Sequence, residues 1–314
     1  MLRSPVFKRL SQILPIVLMV VLLTFSVKTI THELKNDSWQ NIWQYLQGIP
    51  KLHKLGAIIL TGLGYLVMVG YDLLGFEYIR HRLAPTKIAT TAFISYAVGN
   101  TIGFTAFSGT AIRYRFYSGW GVSKGKIAQL ILFTHLTFWL GLFAVGGIVF
   151  IIDPLTLPSA LKLPFDSVHP LGLICLFLVL IYFGVGYFWK RPLQLGPESI
   201  EFPSAKISLQ LIAVSALDWG LACGVLYLLL PEGTGWSYPG FFGIYILALT
   251  AGLISTVPGG LGVFGTVILV LRPASLSASN LLGALIAYRI IYYFIPLIVA
   301  LGLFIIHELK QNKH

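Results

Sequence analysis

Apolar residues run along this chain in long, nearly unbroken stretches, without the spacing of a one-faced helix or the alternation of a half-buried strand. Runs near bilayer length, about 20 residues, cover 13 to 30, 55 to 74, 127 to 152, 170 to 189, 205 to 230 and 281 to 306, and they predict six full transmembrane helices. Two further apolar segments are interrupted. Segment 89 to 112 is rich in Gly, Thr and Ser, and segment 240 to 271 carries Pro258-Gly259-Gly260 at its middle. Each reads as a span or as a re-entrant hairpin that returns to its own side. Segment 36 to 54 places Trp39, Trp43 and Tyr45 among polar residues and reads as an interfacial helix on the outer side or as a connecting loop.

Composition sharpens this picture. Of 314 residues, 56% are hydrophobic and 11% charged, against roughly 45 to 50% and 25% in soluble domains, which excludes a soluble globular protein. The net charge of +11 invites a nucleic-acid reading, yet the basic residues flank apolar spans. Orientation and anionic lipid headgroups account for them better, and no nucleic-acid partner is expected. Cys175 and Cys223 both fall inside apolar runs and suggest neither a disulfide nor a metal site. Arg3, Lys8 and Arg9 precede the run Ile13 to Val27 as they would in a signal peptide, but the run is long and no small-residue cleavage site follows. It is expected to be a retained helix.

Loop charges decide between the two topologies. If both interrupted segments cross, 9 Lys and Arg lie inside and 12 outside; if both are re-entrant, 15 lie inside and 6 outside. The positive-inside rule selects the hairpins, with both termini and the loops 109 to 126 and 190 to 206 cytoplasmic. Arms of about 10 to 12 residues would rise about 15 to 18 Å, half of a core about 30 Å thick.

The fold expected is therefore an all-α polytopic membrane protein with about six full transmembrane helices and two re-entrant broken-helix hairpins in an inverted repeat. Residues 1–54 form an N-terminal helix and outer segment, 55–152 the first unit, 153–204 a linking helix with loops, and 205–314 the second unit. The landmarks recur in order: Asp72 lies 37 residues before Gly109 and Asp218 lies 41 before Gly259, while His135 follows Gly109 by 26 and Arg289 follows Gly259 by 30. Inverted repeats with broken helices at matching places are a transporter pattern, with the site at the midplane.

The hairpin tips are expected at Phe107 to Thr110 and Val257 to Gly260, where the start of each second arm would point unpaired N–H groups at the midplane. Ser108, Gly109 and Thr110 on one tip, and Pro258, Gly259 and Gly260 on the other, are thus candidate anion-binding residues; close packing of small residues is the competing reading. Arg113 would meet a headgroup phosphate or snorkel to the inner interface, as Arg115 is expected to do. Arg289 lies eight residues into a span and serves either a substrate anion or an ion pair with Asp218. Asp72 and Asp218 suit an Arg partner or a proton relay. His135 could titrate, or simply serve as a satisfied interhelical hydrogen-bond donor. The sequence carries no His/Cys metal spacing, Walker loop, dinucleotide fingerprint or nucleophile elbow, so no catalytic residue, metal or cofactor is assigned.

Three ordered motifs, Gly99-Asn100-Thr101-Ile102-Gly103 leading to Gly109-Thr110-Ala111-Ile112-Arg113-Tyr114-Arg115-Phe116-Tyr117, then Pro258-Gly259-Gly260-Leu261-Gly262-Val263-Phe264, then Tyr288-Arg289-Ile290-Ile291-Tyr292-Tyr293-Phe294-Ile295-Pro296, carry a resemblance. From about Leu55 onward the chain resembles the transmembrane flippase part of the bacterial lysylphosphatidylglycerol synthase/flippase family, the multiple peptide resistance factors. The resemblance implies a multi-pass inner-membrane protein that moves a phospholipid between leaflets, with both hairpins facing a central cavity. Full-length members append a soluble synthase domain, whereas this chain ends at His314 just after its last span, so it is not expected to make an aminoacylated lipid. Gly265 stands where members often carry an acidic residue. The substrate partner expected is a membrane phospholipid; a second copy of the chain and a separate lipid-modifying enzyme are the candidate protein partners. An ion-coupled transporter of a small anionic solute, or a non-transporting partner of an envelope enzyme, are the alternatives.

Overall fold

The computed structural model describes residues 39–102, 105–153, 167–189, 191–195, 198–255 and 262–311; the run 13 to 30 lies outside them. The chain forms α1 (Trp39–Gly48), α2 (Lys51–Tyr78), α3 (Pro85–Ile102), α4 (Thr105–Gly119), α5 (Lys124–Ile152) and α6 (His169–Phe188). After a short antiparallel pair, β1 (Leu193–Leu195) and β2 (Glu198–Ile200), follow α7 (Ala205–Leu229), α8 (Tyr238–Ile254), α9 (Val263–Val270) and α10 (Ala278–Tyr288). A π-helical turn at Arg289–Phe294 joins α10 to α11 (Ile295–Gln311). Among the described residues, α2, α5, α6, α7 and the run Ala278–His307 are long and apolar enough to cross a membrane. The protein is an all-α polytopic membrane protein.

Long apolar runs become helices because a helix satisfies its own N–H and C=O groups where no water can. Their starts are set by serines. Ser123, Ser204, Ser237 and Ser277 each accept a hydrogen bond from the N–H three residues on, capping α5, α7, α8 and α10.

Helices α2 and α7 pack antiparallel through small residues. Cβ atoms built on Gly56, Gly64 and Gly70 would meet Leu228, Leu221 and Val214 in turn. Helix α5 approaches α7 at Gly141, where an added Cβ would collide with Ser215. Helix α6 packs along α5 and turns Phe177, Leu180 and Tyr187 outward, as a lipid-facing span does. Helix α1 is a helix and not a loop: Ile42 is buried, the Tyr45 hydroxyl donates to the Leu229 carbonyl at 2.7 Å, and Trp39 and Trp43 stay exposed.

The first interrupted segment is a hairpin. Phe76 at the end of α2, Ile88 at the start of α3, Tyr117 at the end of α4, and Ile127 and Leu130 at the start of α5 form one buried cluster. Both arms of α3–α4 therefore return to the end from which they left. The arms hold 18 and 15 residues, roughly 27 and 22 Å long, so they reach deeper than the sequence expectation. The turn also lies elsewhere than expected. The chain leaves α3 at Ile102 and resumes helix at Thr105, which puts Gly109 and Thr110 a turn inside α4 and not at a tip.

Helix packing is nearly unchanged when the set α2–α3–α4–α5 is exchanged for α7–α8–α9–α10/α11. Helix α2 packs on α3 and α7 on α8; α3 packs on α4 and α8 on α9; α2 packs on α5 and α7 on α10; α3 packs on α11 and α8 on α5. The axis of this exchange runs through the α2–α7 contact.

Candidate functional site: paired and unpaired charges inside the bundle

Asp72 sits in the C-terminal third of α2, fully buried, and Arg113 on α4 is 5% exposed. The guanidinium grips the carboxylate at both oxygens, Nε to Oδ1 and Nη2 to Oδ2, each at 2.8 Å. Tyr117, one turn after Arg113 and on the same face, adds a third donor to Oδ1 at 2.9 Å, and the Arg113 guanidinium lies 4.7 Å from the centre of the Tyr96 ring. Gly109 makes room for this arrangement: a Cβ there would stand 3.2 Å from both Arg113 Nη1 and the Ser95 carbonyl. Two charges thus form one neutral, hydrogen-bonded unit. An Arg partner for Asp72 was one of the two readings of the sequence, and Arg113 supplies it from 41 residues away.

Asp218 on α7 is 5% exposed and is treated differently. Its Oδ2 lies 3.2 Å from the Tyr71 hydroxyl, which stands at the same distance from Ser215 Oγ. A phenol has one proton to give, so it serves one of the two at a time. Oδ1 of Asp218 is buried with no hydrogen-bond partner among the described residues. Around it lie tyrosines from five elements. Tyr71 packs on Tyr96, Tyr65 on Tyr292, and Tyr292 stacks on Tyr288 at 5.2 Å. The Tyr245 and Tyr288 hydroxyls are 2.9 Å apart, and Phe264 packs on both rings.

Arg289 opens the π-helical turn, half-buried, with its guanidinium 5.9 Å from the centre of the Tyr293 ring. The structure does not bring it to Asp218, so the ion pair entertained from sequence is not formed. The turn itself has a local cause. Pro296 has no N–H to donate back, and neighbouring helices receive carbonyls exposed nearby. The Tyr65 hydroxyl donates to the Tyr292 carbonyl at 3.2 Å, and Thr101, next to last in α3, stands 3.3 Å from the Tyr293 carbonyl. The inner end of the first hairpin therefore rests on the segment that carries Arg289. π-turns within long helices are frequent at functional sites.

The remaining expectations fall as follows. Ser108 lies in the first turn of α4. Thr110 Oγ1 is buried without a partner, as are Ser95 Oγ on the facing arm and Thr266 Oγ1 on α9. Pro258, Gly259 and Gly260 lie outside the described residues; α9 starts at Gly262, whose φ of +85° suits a residue without a Cβ. His135 bonds through Nδ1 to the Ile131 carbonyl of its own helix at 2.7 Å, a bond within one helix and not the interhelical one expected. Among the described residues no three His, Cys, Asp or Glu side chains gather as metal ligands. Sequence reasoning missed the tyrosines Tyr65, Tyr71, Tyr96, Tyr245 and Tyr288. The available signal was phenols inside apolar runs, where each hydroxyl needs a partner.

No family model matches the chain. It is 45% identical over 311 residues to the uncharacterized protein slr0712 of Synechocystis sp., covering 98% of this chain and 95% of that protein. It is 29% identical over 281 residues to the inner membrane protein YbhN of Escherichia coli, covering 89% and 87%. It is 26% identical over 305 residues to a phosphatidylglycerol lysyltransferase of Staphylococcus haemolyticus, covering 93% of this chain but 34% of that enzyme.

Proposed function

The chain belongs to one family with the Synechocystis protein, and from its likeness to the Escherichia coli inner membrane protein and the Staphylococcus phosphatidylglycerol lysyltransferase we propose that it is a member of the lysylphosphatidylglycerol synthase transmembrane family and that it moves a phospholipid between the leaflets of a bacterial inner membrane. The observation that carries this reading is the contrast between the two buried-segment arginines. Arg113 is neutralised by Asp72 at two oxygens. Arg289 has an aromatic face beside it, and none of its donors meets a carboxylate among the described residues. A guanidinium at membrane depth needs an anion, and the phosphodiester of a lipid headgroup offers two oxygens in the geometry a guanidinium fork binds best. The π-helical turn and the α3–α4 hairpin beside it supply backbone that is irregular yet enclosed, as a central polar site in a membrane requires. The reaction named for the Staphylococcus relative belongs to that longer protein; the reading for this chain is translocation.

The exchange symmetry of the packing supports two units, 55–152 and 205–314, related by inversion, with 1–54 and 153–204 outside them. Both termini face the cytoplasm in this reading. A cysteine at position 118, in a chain with Cys175 and Cys223 replaced, is then shielded from an impermeant reagent applied to intact cells; labelling there overturns the orientation. The function is tested by reconstitution in liposomes with headgroup-labelled phospholipids. Transbilayer movement above that of protein-free vesicles is expected, and its absence with every anionic and zwitterionic phospholipid removes the proposal.

A further inference from the structure

Asp72 and Asp218 each lie on the first helix of their set, yet the place that Arg113 takes beside Asp72 has no basic counterpart beside Asp218. Counted from the glycines that align the two sets, Gly109 and Gly259, the position matching Arg113 is Val263. The titratable groups facing Asp218 are phenols: Tyr65 and Tyr71 from α2, Tyr96 from α3, Tyr245 from α8, and Tyr292 and Tyr293 from the π-helical turn. Helix α5 presents Gly141 and Phe138 to this part of α7, against Ser215 and Trp219. Among the described residues no Lys, Arg or His forms an ion pair with Asp218. One shared phenol proton and an orphaned Oδ1 are too little to hold a carboxylate away from water, since an uncompensated buried charge is far more costly than an unpaired neutral hydroxyl.

We propose that Asp218 is a proton-binding site, holding its proton as the neutral acid while the bundle is closed and releasing it when water reaches the tyrosine-lined centre. A metal cation fits less well. Hard cations ask for several carboxylate or carbonyl oxygens, and among the described residues no three His, Cys, Asp or Glu side chains gather here. The site thereby links the closed state to pH. Protons favour closure, and rising pH favours the hydrated form. This inference stands apart from the identity of the cargo, because the proton is read without any lipid movement.

Infrared spectra of the purified protein in lipid, recorded at neutral pH, test it directly. The wild-type protein is expected to show a protonated-carboxyl band that Asp218 supplies, Asp72 being gripped by Arg113 at both oxygens. Asp218→Asn removes the band, and Asp218→Glu shifts it. A wild-type spectrum without the band, or an unchanged band in Asp218→Asn, overturns the proposal. Thermal unfolding gives a second reading on wild-type protein. A group that binds its proton in the folded state and loses it on unfolding makes stability fall as pH rises above the ordinary carboxylate range. That part of the slope is expected in the wild type and absent in Asp218→Asn; a wild-type slope of the opposite sign counts against the site.

Discussion

On α2 a carboxylate is gripped by a guanidinium at both oxygens and by a phenol besides; on α7 a carboxylate equally far from water shares a single phenol with a serine. The arginines divide in the same way, Arg113 held and Arg289 beside a ring. A charge that is fully partnered inside a bundle is explained by the structure that encloses it, and removing it would leave only a folding defect. A charge without a counter-charge at the same depth is tolerated when something that comes and goes completes it. In the proposed reading that is an anion for Arg289 and a proton for Asp218. On that reading the unit built from α2 to α5 is the rigid half of the molecule, and the unit built from α7 to α11 carries the groups free to act.

The sharpest way to break this comparison is to take the partner from the held half. Asp72→Ala leaves Arg113 buried and uncompensated, which costs about 3 to 5 kcal/mol. Folded yield and unfolding temperature in detergent should collapse together. The double variant Asp72→Leu with Arg113→Leu should recover most of the loss, because an apolar pair of similar volume replaces a buried ion pair at little cost. A single variant as stable as wild type would mean that water reaches this pair, and the division into held and free halves would fail.

Five of the spans and the first hairpin were legible in the sequence because they rest on run length and loop charge, properties that survive without knowledge of packing. The position of the first turn was not. Gly109 looked like a turn residue, but it serves close approach to Ser95 and Arg113 within α4, and a glycine's role in packing cannot be told from its role in a turn by its name alone. The Asp72–Arg113 pair joins residues 41 positions apart, and hydropathy gives no such pairing. The same holds for the tyrosine cluster, assembled from α2, α3, α8, α10 and the π-helical turn. Arg289 was legible as a candidate because a lone cation eight residues into a span is anomalous on its own.

On the free half, Arg289→Lys sharpens the comparison by keeping the charge and removing the fork. A lysine offers a compact ammonium that cannot match two phosphate oxygens in one plane. Translocation in liposomes should fall at least tenfold, about 1.4 kcal/mol expressed as a free energy, while the unfolding temperature stays near wild type. If transport survives, the cation acts only through its net charge; if the protein melts early, Arg289 belongs with the held charges.

Between the halves lies the contact from Tyr65 to the carbonyl of Tyr292, through which α2 supports the turn that carries Arg289. Tyr65→Phe removes one hydroxyl, keeps the ring against Phe93 and Tyr292, and leaves a buried carbonyl short of a donor. A loss of about 1 kcal/mol is expected, measured by unfolding in detergent. Translocation should fall by more than stability alone explains if the carbonyl is what holds the turn open; an effect on stability only would make Tyr65 another member of the rigid half.

The smallest effect belongs to an ion pair of the same chemistry placed in water. Arg80, just after α2, and Glu201, in the loop before α7, meet at 2.9 Å with side chains 80% and 57% exposed. Here the Coulomb gain is screened and two long side chains must be ordered, so such pairs contribute at most about 1 kcal/mol. Glu201→Gln should therefore shift the unfolding temperature little, and less still at high salt, where screening has already removed the attraction. The loop should stay docked, because the Tyr78 hydroxyl donates to the Glu201 backbone carbonyl at 2.6 Å, and that bond survives the substitution. The salt response is the informative measurement. Wild type and Glu201→Gln should converge as salt rises, whereas the deficit of Asp72→Ala should persist, since mobile ions do not reach Arg113. Equal salt sensitivity of the two deficits would show that burial is not what separates the held pair from an ordinary surface bridge.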